Sequence, residues 1–472
     1  MNRGTAVVAL QTGLIGVLLS TNSFAADLLE VWQAAKVYDR EYRAAQSDQS
    51  AGDARRHLGD TLLTPRVNFV AGAGLVNENS KMSGAQFSAP NIGSFNNANF
   101  NTSINSGTRT RVAIQATQPL YDRELAAQKN QLHLSAEVSN MNMGAADQNL
   151  ILRVTESYFE AVKAQARVDL LVEQQNAVSN TYSEISRRQQ LGDASKIDLQ
   201  ETAEQVEAIK AKLLTAQLAY NESLYKLTQL TGQTSSISPL RDGGINSADM
   251  SIGSVDDWIG KAKANNPQLK VLALNEQVRS LEVDKYNSSL SPKVNLMAQV
   301  SRDRVNGSGD FGSASNTVSN GMIGVELSVP LTDGYRSSKK DEAFYLAEKA
   351  KLESEQASLE IERQIKSVWF ATITGRDRVD SLTRMVNLSR DRLAATERSH
   401  RQGSRTTMEL LGAQSDYIST KLVLLEEEVN LILSRVRLSS ISGDVSEQDL
   451  VFANRFLSVD KEQSLPKALK VD

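Results

Sequence analysis

The chain contains no cysteine. Disulfides, thiol catalysis and thiolate-held metals are therefore excluded, and so is a lipid-modified N-terminal cysteine. Its three histidines, His57, His133 and His400, lie too far apart in sequence to suggest a local metal motif. Proline is scarce, with 8 in 472 residues, and aromatics make up 5%. Few prolines leave helices unbroken, and abundant Ala, Gln, Leu and Glu favour long ones. Charge of one sign is lacking too: 52 basic against 56 acidic residues give a formal −4. Nucleic acid as a partner thus has no electrostatic footing. Beyond the N-terminus no apolar run is long enough for a transmembrane helix, so a membrane would have to be met as a β-barrel. We find no nucleophile–base pair, phosphate loop or metal spacing, which argues against an enzyme and against a cofactor.

What is present begins with a secretory pattern. Arg3 supplies the charge, Ala6–Leu19 the apolar stretch, and Ser23-Phe24-Ala25 the small-x-small cleavage site. Residues 1–25 read as a signal peptide with cleavage before Ala26.

The remainder states itself twice. Arg188–Thr202, RQQLGDASKIDLQET, returns as Arg401–Ser415, RQGSRTTMELLGAQS. The offset from Gly192 to Gly403 is 211. It also carries Pro119-Leu120 to Pro330-Leu331, Phe159 to Phe370, and Leu230-Thr231-Gly232 to Ile441-Ser442-Gly443. Pro65-Arg66-Val67-Asn68 recurs as Pro292-Lys293-Val294-Asn295 at a changed offset. A constant offset over such a span marks an internal duplication. The expected divisions are a first repeat over 26–232, a linker over 233–253, a second repeat over 254–443 and a tail over 444–472.

Each half predicts the same elements. Asp27–Leu63 is helical, with Leu28, Val31, Trp32 and Ala35 on one face, and ends before Pro65. Pro65–Asn77 and Thr108–Gln118 alternate as strands, separated by a mobile loop of Asn, Ser and Gly over 78–107. Pro119 closes the second strand and opens a helix that runs to about Gln190. At ~1.5 Å per residue it spans on the order of 100 Å. Leu134, Val138, Met141 and Ala145 step as a coiled coil does. Gly192 breaks the pattern, and Ile197–Leu230 resumes it. The second half predicts a helix over Val255–Ser289 and strands over Pro292–Asp303 and Gly321–Val329, with a polar loop over Arg304–Asn320. Helices over Tyr335–Arg401 and Arg405–Ile441 follow.

Four strands cannot close a barrel, and an open sheet edge cannot face lipid. Strands of ~10 alternating residues do match a membrane crossing. Shared closure by several copies resolves the conflict, three chains supplying twelve strands. Val112, Ile114, Val294, Leu296, Ile323, Val325 and Leu327 would then face lipid, and the opposite amides and charges would line water. The alternative is a soluble periplasmic coiled-coil scaffold or adaptor.

Over nearly its whole mature length the chain resembles the TolC family of outer-membrane export channels. The resembling residues are Gln118-Pro119-Leu120-Tyr121, Val329-Pro330-Leu331, Leu191-Gly192 with Asp198, Gly403-Ser404-Arg405-Thr406, and Ser446-Glu447-Gln448-Asp449-Leu450. The resemblance implies a mainly α-helical homotrimer. A 12-stranded membrane β-barrel, four strands per chain, continues into a long coiled-coil tunnel. The tunnel's periplasmic end would be a closed iris at Gly192 and Gly403, opened by a periplasmic adaptor (membrane fusion protein) and an inner-membrane ABC or RND-type transporter. Asp198 and Arg405 match positions of an inter-helix ion pair, and Glu409 matches an acid of the narrowest ring, whose second acid is here Gly412. His400 stands where the family often has tyrosine, and a surface histidine is expected there. The missing lipid cysteine favours type I secretion and multipurpose members over lipidated drug-efflux ones.

Other expectations are plain. Trp32, Trp258 and Trp369 should pack between helices, Tyr121 and Tyr335 should lie at the membrane boundary or in helix packing, and Glu426-Glu427-Glu428 should form a solvated face.

Overall fold

A computed structural model describes residues 25–234, 236–241, 245, 250–287, 291–310, 312–332 and 334–458. The expected signal peptide up to residue 24, part of the linker and the end of the tail lie outside the described residues. The element order is β1 (Ala25–Ala26), α1 (Leu28–Tyr38), α2 (Arg40–Thr61), β2 (Arg66–Ala89), β3 (Gly93–Asp122), α3 (Arg123–Gln190) and α4 (Lys196–Thr231). Then come β4 (Ser236–Ile237), α5 (Val255–Asn265), α6 (Pro267–Tyr286), β5 (Lys293–Gly309), β6 (Gly312–Ser328), α7 (Gly334–Arg401), α8 (Thr407–Ser442) and α9 (Glu447–Asn454).

The duplication is visible in the helices themselves. α3 and α7 have 68 residues each, α4 and α8 have 36 each. Each copy starts 211 residues after its counterpart, α3 at Arg123 and α7 at Gly334.

The chain divides into two compact units. One, Ala44–Ala146 with Lys263–Arg363, holds the sheet. Its strands are antiparallel in the order β2-β3-β5-β6. The register aligns one apolar set across all four: Phe69 faces Ile114, Ile114 faces Val300, Leu296 faces Val325, and Val294 faces Leu327. The other face carries Gln115 opposite Gln299, whose amides bond at 3.1 Å, and Arg111 opposite Asp303. On the two central strands exposure separates the faces. Ile114 is 54% and Val300 68% exposed, whereas their chain neighbours Ala113 and Ser301 are 1% and 3%. On a curled sheet the concave side is occluded by its own neighbours, so the polar face is the concave one. Of the expected lipid-facing residues, Val112, Ile114, Ile323, Val325 and Leu327 are exposed, and Val294 and Leu296 are half-buried. Among the described residues no helix is long and apolar enough to cross a membrane.

The polar loops expected at 78–107 and 304–320 are strand instead. β2 and β3 continue to a tight turn after Ala89, and β5 and β6 turn after Gly309. Past the apolar band most side chains of these strands meet water on either face, so no sustained hydrophobic alternation marks them; backbone pairing carries the ladder. Pro119 does not end β3 either. The strand passes a register shift between Pro119 and Tyr121 and reaches Asp122. Asp122 Oδ1 then accepts from the backbone N–H groups of Glu124 and Leu125 at 2.9 and 3.1 Å, starting α3.

Two further helices are split. Asp39 divides the helix expected over Asp27–Leu63; its Oδ1 accepts from Tyr42 N at 2.7 Å and from Arg153 at 2.8 Å. Asn266 divides the one expected over Val255–Ser289, accepting from Leu269 N at 3.0 Å ahead of Pro267. Pro at the first helical position is a start signal.

The other unit comprises Met1–Arg43, Asp147–Ala262 and Gln364–Asp472. Leu28, Val31, Trp32 and Ala35 are buried, where α1 packs on α4 and α9. The buried Tyr158 hydroxyl accepts from Ser238 N at 2.9 Å. Trp258 is buried under Lys261 and Arg435, 4.8 and 5.1 Å from its ring. Trp369 is half-buried and donates to Gly253 O at 3.0 Å. The acidic run of α8 is not wholly solvated. Glu428 is buried and accepts from Ile245 N at 3.2 Å, and Glu427 pairs with Arg378 at 3.4 Å. A helix face that reads as charged in sequence is used here to hold a connecting segment.

Candidate gate at the helix ends

The turns from α3 to α4 and from α7 to α8 have the same construction. Gly192 and Gly403 sit in the left-handed region, with φ of 84° and 76°, where a Cβ is penalised. Each closes a helix C-terminus in the Schellman manner. Asp193 N donates to Arg188 O at 2.8 Å, and Ser404 N to Ser399 O at 3.0 Å. Arg187 and Arg188 in one last turn, and Arg398, His400 and Arg401 in the other, meet the negative helix ends.

The next helices begin with reciprocal capping boxes. Ser195 Oγ accepts from Asp198 N at 3.0 Å, and Asp198 Oδ2 accepts from Ser195 N at 3.3 Å. Thr406 Oγ1 accepts from Glu409 N at 3.2 Å, and Glu409 Oε2 accepts from Thr406 N at 2.8 Å. The four orphan N–H groups of a helix start are thereby partly satisfied. Asp198 and Glu409 are thus the same residue of the repeat. The S/T-x-x-D/E spacing of Ser195-Lys196-Ile197-Asp198 and Thr406-Thr407-Met408-Glu409 was a signal in the sequence that could have found both caps.

Arg405 does not reach Asp198 within the chain. It pairs one turn ahead, with Glu409. The Thr406 backbone N–H first, and the Arg405 guanidinium next, hold the Glu409 carboxyl below its ordinary range. His400 is no surface histidine: it is 8% exposed, with Nε2 3.4 Å from Thr407 Oγ1. The start of α8 covers it. Gly412, one turn past Glu409, has open space where a Cβ would stand. Farther along, Val178, Ile209 and Leu411 form a core that joins α3, α4 and α8. Arg392 pairs with Asp416, and Lys421 with Glu173 at 3.2 Å. The corners are therefore hydrogen-bonded backbone turns, and the Arg405–Glu409 link at the second is charge-assisted yet exposed, hence readily exchanged in water.

A four-stranded sheet with an apolar convex face, joined to paired helices of 68 and 36 residues, defines a membrane channel of the sheet-and-helical-tunnel class. The family model described as outer membrane efflux protein matches residues 31–233 and 258–444. The chain belongs to that family. Alkaline protease secretion protein AprF of Pseudomonas aeruginosa is 23% identical over 456 residues, covering 95% of this chain and 92% of that one. Outer membrane protein TolC of Vibrio cholerae is 23% identical over 94% of this chain and 97% of its own. The solved Campylobacter jejuni CmeC outer membrane channel shares the fold at TM-score 0.70 and 14% identity, covering 97% of this chain and 98% of that chain. The protein is accordingly an outer-membrane efflux or secretion channel reaching into the periplasm, a transport protein rather than an enzyme. Channels of this kind work with adaptors and inner-membrane transporters. The soluble-scaffold alternative is set aside.

Proposed function

We propose that the protein is a homotrimeric export duct whose periplasmic end is closed by an iris of the two helix corners. One observation carries the reading. The sheet has an apolar convex face and two open edges, β2 and β6. In lipid each unpaired edge group costs several kcal/mol, and copies of the same sheet remove both edges at once. The α7 side chains Tyr345, Leu352, Leu359 and Leu388, and Leu214, Leu218 and Tyr225 of α4, are exposed apolar groups. Identical neighbours would cover them.

In this reading 26–232 and 254–443 are the two structural repeats, 233–253 links them and 444–472 is the tail. Gly192 and Gly403 are the fixed corners of the iris. Arg405 exchanges Glu409 of its own helix for Asp198 of a neighbouring copy when the iris closes. His400, buried under Thr407, sets the seating of α8. Three Glu409 carboxylates face the narrowest ring and favour cations. A periplasmic adaptor and an inner-membrane ABC or RND-type transporter supply opening and energy. A type I secretion or multipurpose role is the better fit, supported by the relative named for alkaline protease secretion.

The test is fractionation followed by reconstitution. The protein should stay with outer membranes after a carbonate wash, migrate as a trimer in mild detergent, and give cation-selective steps in a planar bilayer. A stable monomer without pore activity would overturn the proposal.

A further inference from the structure

The two hairpins of the sheet differ in reach. β5 and β6 turn back at Asp310, but β2 and β3 run on. β3 meets β5 for the last time at Ser106, and from Ile104 to Gly93 it pairs with β2 alone. A lone two-stranded ribbon is marginally stable in water, so what it rests on matters.

Its course is set by the register shift between Val76 and Glu78. Regular alternation would put Ile104 on the face of Thr108 and Val112. It lies instead over Gly107 and Gly307, where a Cβ on either glycine would come within 2.5 Å of Ile104 Cγ2. A Cβ on Gly309 would overlap the Ser103 carbonyl. These three glycines belong to the rows of Ala113, Ser301 and Val305, the concave polar face. The ribbon therefore leaves the sheet by folding over its concave side, and Ile104 and Ser103 become buried there. The tip of the shorter hairpin holds it. Asp310 N donates to Ser103 Oγ at 2.8 Å, and Asn105 Nδ2 donates to Asp310 Oδ1 at 2.8 Å. Beyond that point the ribbon bears Phe87 opposite Phe95, and Phe87 edge-on to Phe100 at 5.4 Å.

We propose that the ribbon from Glu78 to Ile104 is a lid across the outer mouth of the lumen, latched by Asp310 and seated on the Gly107–Gly307 pair. It would screen the exit by size: ions and small solutes pass beside it, and a macromolecular cargo must displace it. The inference rests on the sheet being one part of a closed barrel.

The absence of native cysteine makes the test clean. Gln299→Cys, deeper on the same concave face, provides the only thiol. On intact cells a small impermeant maleimide should label it at similar rates with or without the latch. A polymer-linked maleimide should label Gln299→Cys several-fold more slowly than Gln299→Cys/Asp310→Ala. Asp310→Asn keeps an Oδ1 acceptor and should restore the slow rate. Ser103→Ala provides a second way to weaken the latch if Asp310→Ala fails to assemble. Equal rates for the bulky reagent in all backgrounds would overturn the lid. Failure of the small reagent to reach Gln299→Cys would remove the barrel reading and the lid with it.

Discussion

At the first corner Gly192, Ser195 and Asp198 turn the chain; at the second Gly403, Thr406 and Glu409 do so, each residue 211 positions later. The backbones agree in left-handed glycine, extended cap and reciprocal box. The charges do not. Ala194 stands where the second corner has Arg405, Gln189 where it has His400, and Lys196 where it has Thr407. The duplication preserved the solution to a structural problem, the orphan groups of two helix ends, and left the remaining surface to diverge. What is common to the two corners belongs to the fold. What differs is where gating should be sought.

The largest effect should fall on the common part. Gly192→Ala and Gly403→Ala each force a Cβ into the left-handed region, at about 1–2 kcal/mol. Neither position has a neighbour within 4 Å that a methyl would strike, so strain alone is expected and the two costs should match. Thermal unfolding in detergent, with hydrogen exchange at each corner, measures both. Unequal losses would show that the corners are not equivalent even in backbone.

The glycines, the repeat and the one-sided strands were legible because each leaves a periodic or conformational mark. The strand segments past the apolar band were not, because Asn, Ser and Gly at 78–107 pair through the backbone and need no pattern. The breaks at Asp39 and Asn266 were missed for a related reason: a single cap, held by Arg153 in one case and followed by Pro267 in the other, outweighs a continuous apolar stripe. Burial of His400 depends on how α8 seats against α7, a tertiary fact with no local trace.

A middle-sized effect should separate the corners. Arg405→Ser removes the cation the first corner never had. The pair is exposed and therefore weak, so a few-fold change in the open population is expected. Single-channel conductance or open probability should rise, whereas Ala194→Ser should change nothing. The same variant has a pH signature. Glu409 is held below its ordinary range by Thr406 N–H and Arg405. Its contribution is present above the unfolded pKa and is lost as pH falls through the folded one. Without Arg405 the folded value rises, so exchange protection at the start of α8 should fail at a higher pH than in the unmodified protein. Identical pH profiles would remove Arg405 from the cap.

The smallest effect lies away from the corners and makes the second repeat more like the first. Glu428 corresponds to Gln217, which is half-buried and neutral. Burial raises the Glu428 carboxyl above its ordinary range, and the Ile245 N–H offsets this only in part. A raised folded value favours the neutral form, so this group's stabilisation is complete below the unfolded pKa and fades as pH climbs through the folded one. Ionising this carboxyl in the folded protein is therefore disfavoured by its burial. Glu428→Gln retains an Oε1 that can accept from Ile245 and discards the charge. It should raise Tm slightly at neutral pH, with the gain vanishing in acid. A gain that persists in acid would mean that packing, and not desolvation, is what the glutamate costs. A loss at neutral pH would mean that the negative charge is wanted there, and that this position, like Arg405, is one where the second copy left the first for a purpose.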